Sequence, residues 1–173
     1  MECWRNLGAA QVAVVCAVGD HAIQSELDRL SFPAADRISN PTPERGMFTS
    51  IQCASRWAGW NAELTHWAIV LGDQPHVRVE TLRTVIEFSA AHPDQICMPW
   101  QGGHRRHPVL LPNRRFFELA NSTAADLKQF LDEQATAIKF LKSEDPSLEL
   151  DIDFPEDYNR ALAFGIDDTR EGK

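Results

Sequence analysis

Short apolar blocks separated by turn formers run the length of the chain. Residues 12–18, Val-Ala-Val-Val-Cys-Ala-Val, are continuous and β-branched and end at Gly19. Such a run predicts a strand buried on both faces, as in a parallel sheet. Asp20 or His21 then opens a helix to Leu30, with Ile23, Leu27 and Leu30 on one face. Residues 36–39 suit a short strand, closed by the turn Asn40-Pro41-Thr42-Pro43. Met47, Ile51, Ala54 and Ala58 recur at helical spacing and predict a helix from 47 to 60.

The alternation continues. Residues 67–71 read as the next buried strand, stopping at Gly72-Asp73-Gln74-Pro75, and a helix over 80–90 carries Leu82, Val85 and Ile86 inward. Residues 95–99 read as a strand, and a basic stretch, Gly102-Gly103-His104-Arg105-Arg106-His107-Pro108, leads to a further apolar run at 109–111. Helices are expected at 114–120 and 124–134, the second with Thr123 and Asp126 spaced as a capping box. Residues 137–141 and 148–153 read as late strands. Pro155 starts a last helix to 164, since proline suits a first turn, and 167–173 is a polar tail. This order predicts a single three-layer α/β domain over 1–173 with a mostly parallel sheet.

Composition narrows the function. The 173 residues carry 17 Lys and Arg against 25 Asp and Glu, a net charge of −8, which disfavours a nucleic-acid partner held by bulk electrostatics. No apolar run approaches the roughly 18 residues of a membrane span, and the first residues do not resemble a signal peptide. Cys3, Cys16, Cys53 and Cys97 include no C-x-x-C pair, so a zinc site is not expected. Cys16 and Cys53 fall in apolar or helical runs and read as buried reduced thiols, which points to the cytoplasm.

In parallel α/β sheets ligands gather outside the carboxyl ends of the strands. Asp73, just after an apolar strand, suits a magnesium ion, which takes hard oxygen donors and substrate phosphates; the alternative is a turn-capping role. Asp151 and Asp153 alternate and would share one face of a strand, although Asp153 also suits the cap of the helix at Pro155. His104, Arg105, Arg106 and His107 form a basic cluster suited to an anionic substrate or to a solvated loop. Gly46, Thr49 and Ser50 at a helix start could present N–H groups and hydroxyls to a nucleotide or act only as caps. His66 and His92 read as structural.

The ordered set Asn40-Pro41, Gly46-Met47-x-Thr49-Ser50, Gly72-Asp73-Gln74-Pro75, His107-Pro108-Val109-Leu110 and Leu150-Asp151-Ile152-Asp153-x-Pro155-Glu156-Asp157 resembles the MobA-like nucleotidyltransferases. The molybdenum cofactor cytidylyltransferase branch is the nearest in pattern. The resemblance implies a Rossmann-like domain of nucleotide-diphospho-sugar transferase type. It also implies transfer of a nucleoside monophosphate from an NTP, with CTP favoured, to a pterin-type phosphate acceptor, releasing pyrophosphate with Mg²⁺. By the same resemblance Asp73 and Asp153 are catalytic, with Asp151 beside them in the metal site. Gly46, Ser50 and Asp73 fall to the nucleotide, and Arg105, Arg106, His107 and Pro108 to the acceptor. Molybdoenzyme maturation proteins are the implied protein partners.

Two features depart from the family pattern. Arg106 stands where the family has glycine before its His-Pro pair. The family's opening strand and glycine-rich loop, L-A-A-G-x-S-x-R-M-G, has no counterpart, a lack of about thirty residues for such a unit. The chain is therefore expected to be N-terminally shortened relative to the family and to bind triphosphate weakly, because that loop's backbone N–H groups cradle the phosphates. A non-catalytic relative acting in binding or assembly is the alternative, and a sugar-nucleotide pyrophosphorylase or glycosyltransferase a more distant one.

Overall fold

Each apolar block is bounded by a residue that cannot continue it, so the elements are short. The computed structural model describes residues 1–164; the polar tail at 167–173 lies outside the described residues. In chain order the elements are α1 (Glu2–Asn6), β1 (Val14–Ala17), α2 (His21–Arg29), β2 (Arg37–Asn40), α3 (Met47–Arg56), β3 (His66–Ile69), α4 (Val79–Ala90), β4 (Ile96–Gln101), β5 (His104–Arg105), β6 (Val109–Pro112), α5 (Asn113–Glu118), α6 (Leu127–Glu133), β7 (Ile138–Lys142) and α7 (Pro155–Leu162), with single 3₁₀ turns between some of them. The chain forms two compact units. One comprises Met1–Trp67 and Asn113–Thr136, the other Ala68–Pro112 and the chain from Ala137 onward.

In the first unit β1 and β2 pair in parallel, with Val14 opposite Arg37 and Ala17 opposite Asn40. Cys16, Leu27 and Phe32 form the core beneath them, with Val12 and Val14 packed against it. The strand expected to be buried on both faces has only Cys16 buried, because its sheet holds two strands and β1 has one partner in it. Asp20 caps α2, its carboxylate accepting the Ile23 N–H at 3.1 Å. Leu27 alone anchors that helix; Ile23 and Leu30, expected inward, are exposed. Helix α3 stops at Arg56 rather than 60 because Trp57 turns to extended backbone (φ −71°, ψ 129°). Its buried residues are Phe48, Ile51 and Ser55, while Met47 is exposed and Cys53 is only half-buried. Helix α6 is capped not by Thr123 but by Asp126, which accepts the Gln129 N–H at 2.7 Å.

In the second unit β4 is the hub. It pairs in parallel with β7 from Ile96–Ile138 to Trp100–Lys142, and antiparallel with β6 at Cys97–Leu110 and with β5 at Trp100–Arg105. The sheet is mixed, in the order β3-β6-β4-β5 with β7 also on β4. The β4–β5 pair is a hairpin whose tip, Gly102 and Gly103, has φ of +58° and +83°, left-handed values that favour glycine and suit a two-residue hairpin turn. Val85, Cys97 and Leu110 form a core cluster, with Ile86, Phe88 and Leu141 against it.

The strand expected at 148–153 does not form. Asp145 caps a 3₁₀ turn, Pro146–Glu149, by accepting the Ser147 N–H, and the chain continues without pairing as a strand. Leu148 and Leu150 are buried, so the alternation is real but serves a turn. Asp153 does not cap α7 either. Phe154 holds the cap position, and its N–H donates to Asp157 Oδ2 at 3.1 Å. Among the described residues no helix is long and apolar enough to cross a membrane.

Candidate functional site

Strand β3 ends at Ile69 and the chain reaches the turn Gly72-Asp73-Gln74-Pro75 within the second unit. Two hydrogen bonds bind this turn to the segment before α7. The Ile152 N–H donates to the Asp73 carbonyl at 3.0 Å, and Gln74 Nε2 donates to Asp151 Oδ1 at 2.6 Å. Two acidic residues far apart in sequence are thereby brought onto neighbouring segments. Asp73, Asp151 and Asp153 are all exposed. Among the described residues no group of three or more His, Cys, Asp or Glu side chains forms a ready-made metal cage.

His107 adjoins this pair. Its Nδ1 lies 3.3 Å from the Ile69 carbonyl, which can only accept, so Nδ1 carries the proton and Nε2 is left with its lone pair. Burial pushes the imidazole below its ordinary pKa. The hydrogen bond to Ile69 and the charges of Asp73 and Asp151 act in the opposite direction but do not cancel it. His107 is therefore neutral near pH 7, a polar group that can accept a hydrogen bond beside two carboxylates. The His107–Pro108 peptide is cis.

The basic cluster is only partly available to an anion. Arg106 Nη2 lies 3.4 Å from Glu149 Oε1, and the Arg105 guanidinium sits over the Phe140 ring, 5.9 Å from its centroid, within the roughly 6 Å reach of a cation–π contact. His104 is exposed on the β5 hairpin.

Gly46 and Ser50 belong to the first unit. Gly46 is the residue before α3, with φ +91°, a left-handed value open to glycine. Fully buried Asn40, at the end of β2, donates through Nδ2 to Thr49 Oγ1 and to Ser50 Oγ, both at 2.9 Å, while its Oδ1 accepts the Thr42 N–H at 2.9 Å. Thr49 Oγ1 donates to the Gly46 carbonyl at 2.8 Å. Asn40 thus braces the start of α3 from below, and the Ser50 hydroxyl, accepting from Asn40, retains its own proton to donate.

Residue-level reasoning passed over three groups here: Gln74, Glu149 and the bracing role of Asn40. Gln74 stood inside the recognised turn. Asn40 carried one signal, its place at a strand end just before Pro41. Glu149 carried none. His66 and His92 make local contacts, His66 Nδ1 with Thr65 Oγ1 at 3.0 Å and His92 Nδ1 with the Phe88 carbonyl at 2.8 Å.

Residues 1–138 match the MobA-like NTP transferase domain, and the chain belongs to that family. It is a nucleotidyltransferase-type family, acting on nucleoside triphosphates. No curated protein matches the chain. Among solved structures it is similar to Rv0371c from Mycobacterium tuberculosis H37Rv, with a TM-score of 0.66 and 22% identity over 94% of this chain and 80% of that one. Rv0371c in complex with manganese gives 0.62 and 22%, over 94% and 83%. The rv0371c homologue from Mycobacterium sp. strain JC1 gives 0.68 and 18%, over 94% and 78%. These likenesses establish the fold, a mixed α/β domain of the Rossmann-like, nucleotide-sugar transferase type.

Proposed function

We propose that the protein transfers a nucleoside monophosphate from an NTP to a phosphate acceptor, releasing pyrophosphate, with CTP the favoured donor and a pterin-type phosphate such as the molybdopterin cofactor the acceptor. The observation that carries this reading is the junction of the Asp73 turn with the Asp151 segment, in a chain of the MobA-like family. CTP and the pterin acceptor rest on the motif resemblance to the cytidylyltransferase branch.

Asp73 and Asp151, with Asp153 close in sequence, would hold a divalent ion, Mg²⁺ by preference. Their chemistry fits it. Mg²⁺ takes hard oxygens, keeps several waters, and binds through one or two carboxylates plus substrate phosphates, so a pair of exposed carboxylates suffices without a protein cage. The manganese complex of Rv0371c is consistent with a divalent ion on this fold. Bound there, the ion would neutralise the triphosphate and the charge developing at the α-phosphorus. His107, neutral and held by Ile69, would accept a hydrogen bond from the acceptor, and Arg105 and Arg106 would supply positive charge on that side.

The test is pyrophosphate release by the purified chain from each of CTP, GTP, ATP and UTP, with a pterin phosphate acceptor and with Mg²⁺ or Mn²⁺. Slow metal-dependent release, fastest with CTP and requiring the acceptor, is expected. Release independent of the acceptor, or none with any nucleotide, would overturn the reading.

A further inference from the structure

The first unit contains a cleft of about 390 Å³ that the nucleotidyl-transfer reading does not use. It opens between the end of α3 and the entry to β3, and Trp57, Trp60, Trp67 and Phe117 form its aromatic walls, with Arg56 and Asn61 among its polar lining. The volume is in the range of small-molecule sites, about 300–1,000 Å³.

The walls are built rather than incidental. Trp57 meets Trp60 edge-on at 4.9 Å and 84°, Trp60 meets Trp67 at 6.1 Å and 83°, and Trp67 meets Phe117 at 5.2 Å and 71°. Trp67 is backed by Phe116, stacked at 4.6 Å and 2°. Trp60 is fixed by its indole N–H, which donates to the Ala54 carbonyl at 2.8 Å. Trp57 lies against Gly59, where a Cβ would fall 2.2 Å from the indole ring. Phe117 remains 41% exposed at the lip.

Two features define the occupant. Trp67 is 7% exposed, yet its indole N–H has no hydrogen-bond partner among the described residues. A buried donor without an acceptor is costly. The second feature is charge. Among the described residues Arg56 is the one charged residue lining the cleft, and no carboxylate lines it. Its guanidinium is directed at a single oxygen, the Ala120 carbonyl, so it retains further N–H donors. Aromatic boxes commonly take cations, but Arg56 and the missing carboxylate oppose one here.

We infer that this cleft binds a planar aromatic carboxylate, its ring against the aromatic walls and its anionic group on Arg56 and the Trp67 N–H.

The test is calorimetric titration of the full chain with 2-naphthoate and, separately, with 2-naphthylmethylammonium. Naphthoate is expected to bind saturably and at least about tenfold more tightly than the ammonium, the size of one charge-assisted hydrogen bond. The Trp67 indole N–H resonance is expected to shift downfield only with naphthoate. Arg56→Gln should remove the discrimination and Arg56→Lys should keep most of it. Gly59→Ala, which drives a methyl into the Trp57 ring, should weaken naphthoate at least about tenfold; Phe117→Ala, which removes one aromatic wall at an exposed position, should weaken it likewise if Gly59→Ala fails to fold. No saturable naphthoate binding, tighter binding of the ammonium, or indifference to Arg56→Gln would overturn the inference.

Discussion

The Ile152 N–H donates to the Asp73 carbonyl at 3.0 Å. One backbone bond therefore joins the turn after β3 to the segment before α7 and carries Asp151 to Gln74, whose amide it accepts. Both carboxylates remain exposed, so the two segments are joined by backbone and amide bonds rather than by burial of these side chains.

That arrangement separates binding from stability. Asp73→Asn and Asp151→Asn are each expected to lower metal-dependent pyrophosphate release by about 100-fold or more, because a metal ion at the transferring phosphate is worth several kcal/mol. Thermal melting without nucleotide should barely move, since neither side chain is buried. A large drop in melting temperature with unchanged turnover would show a structural role for these carboxylates.

The cap of α6 offers a cleaner measurement. Asp126 accepts the Gln129 N–H; Thr123 does not occupy the cap. Asp126→Ala should destabilise the protein by about 1 kcal/mol, and Thr123→Ala should be close to neutral. Chemical denaturation midpoints of the two variants decide it, and the reverse order would restore the capping box expected at Thr123.

Acid stability should depend on Asp145. Burial pushes its carboxyl up, but hydrogen bonds from Thr81 Oγ1, Ser147 Oγ and the Ser147 N–H, with Arg78 nearby, outweigh burial and hold it below the ordinary carboxylate value. The folded pKa is thus depressed below the unfolded one. The contribution is present above the unfolded pKa of about 3.9 and is lost as pH falls through the folded value. Asp145→Asn should lower stability at pH 7 and flatten the loss on acidification below about pH 4. A parallel acid limb in wild type and variant would rule this out.

The four thiols should react in two classes. Cys16 and Cys97 are buried, and burial raises both their pKa values, aided at Cys16 by Asp20. Cys3 and Cys53 are half-buried. At pH 8 a thiol reagent should label Cys3 and Cys53 first, with Cys16 and Cys97 following only on unfolding, because the thiolate is the reactive form. Mass spectrometry of the labelled peptides gives the order, and early labelling of Cys97 would contradict it.

Local sequence determined where the early elements lie. The run at 12–18 was legible as a strand because β-branched residues ended by glycine have few other uses, and Leu27 was legible as core from helical spacing. Asp73 was legible as part of a turn after an apolar strand, which is the ligand edge of such folds. The Gly102-Gly103 hairpin was also written locally, though the basic residues around it drew the reading toward a loop.

Tertiary structure decided the rest. Ile23 and Leu30 have the spacing of core residues but stand exposed, since only Leu27 meets Cys16 and Phe32. Residues 148–153 alternate like a strand, yet a strand exists only where a neighbour pairs with it, and here Asp145 and Pro146 turn the chain into a 3₁₀ turn instead. The pairing of Arg106 with Glu149 and of Asp151 with Gln74 spans 43 and 77 positions. No local pattern encodes such distances, because they are set by which segments the folded sheet brings together.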